Sequence, residues 1–142
     1  METEKQSARP EEDRLLKVEG QAAAAQYLFE RLYRVALPYA EKGLPQAQFD
    51  VSFALGLGYG HGKPDPSTEE REQKSLPWLI KAALGGQPEA LQTLADCFRN
   101  GWRSLPKSAE LSSCWKEAKT DKDLIPKCHA MMESLTAGRK PE

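Results

Sequence analysis

Two stretches of this chain fall on one another 43 residues apart, and they do so at its smallest residues. Ala40, Gly43, Ala47 and Gly58 map onto Ala83, Gly86, Ala90 and Gly101, so each copy reads A-x-x-G-x-x-x-A, ten residues, G. Self-similarity at a fixed period is the mark of a repeat array, in which each unit buries its apolar face only against its neighbours. Small side chains at these positions let a neighbouring helix backbone come close. Glycine three residues after the last alanine suits the left-handed residue that ends a helix. In the second copy the apolar stripe then resumes at Ala90, Leu91, Leu94, Ala95 and Phe98, a core-facing helical face, and Gly101 stops it. Each unit is expected to be helix, tight turn, helix.

The second copy runs W-x-x-K-A-A-x-x-G-x-x-x-A from Trp78 to Ala90, then L-A-x-x-F-x-x-G from Leu94 to Gly101. This pattern resembles the Sel-one-like repeat family, right-handed α-solenoids related to tetratricopeptide arrays. That family's period is about 36 residues, as two-helix repeats tend to be. The surplus here lies in one place: Gly58 to Trp78 takes 20 residues, whereas Gly101 to Trp115 takes 14. The insertion is therefore Gly60 to Ser75. Trp115 and Ala118 mark a third, degenerate half-repeat where Trp78 and Lys81 stood.

The expected fold is all-α: a short right-handed solenoid of about two such repeats, near 36–78 and 79–119, closed by helical caps at both ends. The N-terminal cap is expected at 11–35 and the C-terminal cap at 122–137, with loose tails at 1–10 and 138–142. Pro38 is expected to kink the first long helix or start a new one. Ser67 or Thr68 should cap the helix opened by Glu69 and Glu70. A break is expected near Pro77, with Ser75 capping a fresh start.

Composition narrows the function. A net charge of -1 over 142 residues offers no basic field for nucleic acid. No apolar run reaches the eighteen or so residues of a membrane span. Met1 to Arg14 is charged and polar, unlike a secretory leader. Three cysteines, Cys97, Cys114 and Cys128, leave at least one unpaired, which fits reduced thiols and a cytoplasmic protein. Cys97 lies on the core stripe, and all three read as structural or incidental thiols rather than nucleophiles. Cys128 and His129 are adjacent and point about 100° apart on a helix, so they do not converge on a metal. His61 sits in Y-G-H-G-K-P-D-P, which lacks the fixed glycine pattern and the strand–helix setting of a phosphate loop. No catalytic residue, metal site or cofactor is assigned.

The resemblance implies a non-catalytic, bacterial, cytoplasmic interaction module, an adaptor, regulator or chaperone-like protein, monomeric and binding a protein or peptide on its concave face. Two sets of residues are candidates for that contact. Tyr59 after Gly58, and Trp102 and Arg103 after Gly101, stand at equivalent turns, and exposed Trp, Tyr and Arg are enriched at binding hot spots. Gln48, Ser52, Gln92 and Asp96 sit between stripe residues on the inner helices. The alternatives are a small-molecule-binding protein or enzyme that uses the Gly60–Ser75 insertion, or an immunity-type inhibitor of a dedicated partner.

Overall fold

The computed structural model describes residues 20–137, and among them every regular element is helical. Helix α1 spans Gly20–Glu41, α2 Pro45–Gly56, α3 Thr68–Leu84, α4 Pro88–Asn100, α5 Ala109–Glu117 and α6 Ile125–Ala137. A single 3₁₀ turn, Lys122–Leu124, leads into α6. The expected tails at 1–10 and 138–142, and residues 11–19 of the expected N-terminal cap, lie outside the described residues.

The 43-residue echo is an echo of turns. Gly43 and Gly86 both take positive φ, +99° and +86°. Each donates its N–H to the carbonyl of the alanine three residues before it, at 3.0 Å to Ala40 and 2.9 Å to Ala83. A β-carbon is unfavourable in that backbone region, which is why glycine recurs there. Pro45 and Pro88 then open α2 and α4 within the first helical turn, where a missing N–H costs nothing. Gln87 caps α4 by accepting from the Ala90 N–H at 2.7 Å.

No new helix starts at Pro38, which lies inside α1, and the break expected near Pro77 is corrected: α3 runs through it to Leu84. Ser75 caps nothing. It is fully buried, its carbonyl accepts from Ser52 Oγ at 2.9 Å, and its hydroxyl accepts from Arg103. The start signal sits upstream at Ser67, whose Oγ accepts from the Glu70 N–H at 3.1 Å. The Glu70 carboxylate accepts in return from the Ser67 N–H at 2.9 Å, completing a capping box. Residues 68–75 of the insertion are thus two added turns of α3, and the true loop is 57–67.

Each helix packs on those next to it in sequence, and α3 also reaches α6. The repeated alanines are what close these contacts: Ala40, Ala83 and Ala90 are no more than 1% exposed. At Gly85, any side chain would run into Pro45 at the start of α2, so this glycine sets how closely α2 and α3 approach. The main core joins α3, α4, α5 and α6 around Leu79, Leu91, Leu94, Phe98, Leu111 and Trp115. A smaller one joins α1 and α2 through Ala36, Ala40, Val51 and Leu55, with Trp78 against its edge.

The cysteines depart from expectation. Cys114 on α5 and Cys128 on α6 are joined in a disulfide, their Cα atoms 5.7 Å apart, and Cys97 alone is a free thiol. Both partners lie on the buried faces of helices that the 3₁₀ turn folds against each other, so their pairing follows from packing that no cysteine spacing encodes.

Candidate functional site

The turns that follow α2 and α4 carry the aromatic and guanidinium side chains expected to make contact. Gly101 ends α4 in the left-handed conformation at φ +73°. Arg103 and Ser104 continue left-handed at +57° and +64°, a rare pair of adjacent non-glycine residues in that region. The turn leaves Trp102 outside at 56% exposure and brings Arg103 back across the molecule. Its Nη1 donates to Ser75 Oγ at 2.8 Å. The Cys97 thiol lies beneath, its pKa raised by burial, with the neighbouring Arg103 charge pulling the other way.

The loop after α2 is anchored at several points. Gly60 is at φ +81°, and a β-carbon there would sit 2.6 Å from the Tyr33 ring of α1, so only glycine lets the loop lie on that ring. His61 Nε2 donates to the Leu55 carbonyl at 2.9 Å. Lys63 Nζ pairs with the Glu70 carboxylate at 2.7 Å. That hydrogen bond is the main reason the Glu70 pKa falls to about 2. Arg71, on the first turns of α3, donates from Nε to the Pro66 carbonyl at 3.2 Å.

Two cavities open between these turns. One of about 300 Å³ is lined by Gly56, Thr68, Arg71, Glu72, Trp102 and Arg103. The second, about 430 Å³, lies between α1 and the loop, with Tyr59, Lys63, Asp65 and Arg71 among its walls. Arg71 belongs to both. It was not among the contact residues expected from the sequence, which came from the turns and the inner helices. The signal was available in the position: α3 starts at Thr68, so Arg71 is one turn in and faces the C-terminal turn of α2.

The proposed contact residues separate on this geometry. Trp102 and Arg103 share one cavity, whereas Tyr59 lines the other and stacks on Phe29 with ring centroids 5.5 Å apart. Gln92 and Asp96 are half-buried and bonded to each other at 3.0 Å. Lys119 also donates to Gln92, at 2.7 Å, and Arg99 pairs with Asp96 at 3.2 Å. Gln48 and Ser52 are not presented to a partner. They are 8% and 2% exposed, and each donates to a backbone carbonyl, of Ala40 and Ser75 respectively. Their gaps in the apolar stripe are filled by helix–helix hydrogen bonds, because α1 and α3 flank α2 on both sides.

Among the described residues no three metal-ligating side chains gather, and no helix is long and apolar enough to cross a membrane. His129 pairs with Glu133 along α6 at 3.3 Å. A further shallow groove of about 560 Å³ runs between α5 and α6 over Cys114, Leu124 and Met131.

No family model matches the chain, and no solved structure matches it. Among curated proteins, Wolframin of Drosophila melanogaster is 34% identical over 62 residues, which take in 44% of this chain and 7% of that protein. The similarity therefore covers a small piece of a much longer relative.

Proposed function

We propose that this chain is a Sel-one-like repeat protein: a short right-handed α-solenoid that acts as a non-catalytic protein-interaction module, working as a monomer. Support for the repeat assignment comes from the recurrence of buried small residues and left-handed glycines at a 43-residue period. The observation that carries the function is Trp102. A tryptophan more than half exposed, beside a cavity walled by two guanidiniums, is the residue combination that dominates measured binding hot spots. The contact surface in this reading is the rim formed by the turns after α2 and α4, and Gln48 and Ser52 drop out of it.

The reading does not depend on a compartment. The expected cytoplasmic setting drew on free thiols, and the Cys114–Cys128 bond removes that support, since such bonds persist mainly under oxidising conditions. The test is capture of partners by the tagged full-length chain from its own host, alongside a Trp102→Ala variant whose helicity is unchanged. A stoichiometric protein retained by the parent and lost by the variant is the expected result. Capture of none, or of a set the variant keeps in full, overturns the reading or its surface.

A further inference from the structure

The 300 Å³ cavity is lined by Gly56, the last residue of α2, together with Thr68, Arg71, Glu72, Trp102 and Arg103. A β-carbon at Gly56 would lie 3.6 Å from Arg103 Nη1, and one at Gly58, just past the end of the helix, would lie 3.2 Å from Arg71 Nε. Both guanidiniums therefore lie against the C-terminal end of α2. Each is held by one hydrogen bond, Arg103 to the buried Ser75 hydroxyl and Arg71 to the Pro66 carbonyl. A guanidinium carries five N–H donors in a planar fork, so both keep donors for a further acceptor. Among the described residues, no carboxylate lies within 4.0 Å of either one.

The third charged wall is Glu72, whose carboxylate accepts a long contact from Ser104 Oγ at 3.5 Å. Two positive charges and one negative leave the cavity at plus one, the complement of a monoanion. A dianion such as a phosphoryl group would meet Glu72 as an unfavourable like charge. The volume is at the small end of ligand sites, which suits one side chain rather than a cofactor. Trp102 at the rim offers a flat apolar surface to the residues beside that side chain. The larger neighbouring cavity, which shares Arg71, gives an extended segment room to continue.

We infer that the cavity between Arg71, Trp102 and Arg103 receives a single side-chain carboxylate, Asp or Glu, from an extended acidic segment of a protein partner. This rests on the interaction-module reading and names the chemistry of its partner. Bidentate guanidinium–carboxylate bonding supplies the specificity, and Trp102 supplies buried apolar contact.

The probe is acetyl-Gly-Glu-Gly-amide, titrated into the 15N-labelled full-length chain. Its glutamine and phosphoserine counterparts serve as comparisons. The glutamate peptide is expected to move the Trp102 indole N–H and the Arg71 Nε–H in the millimolar range, an ordinary affinity for so small a ligand. The indoles of Trp78 and Trp115 should stay put. Added salt should weaken the response. Arg71→Gln, chosen because Arg103 also supports the buried Ser75, should lose about tenfold in affinity, the loss expected for one charge-assisted hydrogen bond. It should leave the rest of the spectrum in place.

Three results overturn the inference: no movement with the glutamate peptide, equal movement with the glutamine peptide, or tighter binding of the phosphoserine peptide. The two readings fail separately. A Trp102-dependent partner found without any glutamate response removes the carboxylate specificity alone. A glutamate response with no captured partner removes the interaction module and leaves an acidic-ligand site.

Discussion

Single positions show how far local chemistry reaches. Cys97 is fully buried on the α4 core stripe, and its thiol pKa is raised by that burial, so it is a poor nucleophile in the folded chain. Cys114 and Cys128 are bonded to each other. Alkylation of the native protein should therefore label no cysteine. In denaturant without reductant one should react, and after reduction all three. Mass spectrometry reads the count directly, and two or more labels before reduction would contradict the disulfide. Ser52 and Ser75 were legible as polar residues but not as a buried pair, since their hydrogen bond spans 23 residues of sequence. A side chain's partner across the fold leaves no mark on its own neighbours in the chain.

Helix ends depend on their own few residues, and here the sequence is close to the structure. The α4 stripe from Ala90 to Phe98 is stopped at Gly101 as read, and Ser108 Oγ caps α5 by accepting from the Leu111 N–H at 3.1 Å. The start of α3 makes a quantitative case. Ser67→Ala removes one side of the capping box and should lower stability by about 1 kcal/mol, measured as a shift of the urea midpoint at constant slope. The other side is pH-dependent. The Glu70 pKa is depressed from 4.5 to about 2, so its contribution is fully present above pH 4.5 and is lost as pH falls through about 2. An NMR titration of the Glu70 carboxyl carbon should give a midpoint well under 4.5, and an ordinary midpoint would remove the Lys63 and Ser67 contacts from the account. Pro77 was misjudged for a physical reason. A proline inside a helix removes one hydrogen bond and crowds the carbonyl four residues back, a cost that tertiary packing of Leu79, Ala82 and Ala83 offsets.

Across the described residues, tight alanine contacts between helices and one covalent staple supplement the apolar core around Leu79, Leu94, Phe98 and Trp115. Ala83→Asp would force a carboxylate into a helix contact with no exposure and should cost about 3 kcal/mol or more. Gln73→Asp, on the exposed face of the same helix, should stay within about 0.5 kcal/mol. Equal losses in the two variants would mean that α3 is not packed as described. Reduction of Cys114–Cys128, separated by 14 residues, should lower stability by about 3 kcal/mol on chain-entropy grounds. The Trp115 indole N–H is buried without a partner in this same core, and nothing in the structure explains it.

The sequence by itself determined the all-helical class, the left-handed glycines at 43-residue spacing, and most helix starts and stops. Those depend on backbone conformations and caps that a few adjacent residues dictate. It also singled out Trp102 and Arg103 as residues worth weighing. Only the tertiary structure decided that Arg71 joins them, that Gln48 and Ser52 turn inward, that α3 runs unbroken through Pro77, and that two cysteines pair. Each of these depends on which helix lies across which, a choice made by the packing of many side chains at once.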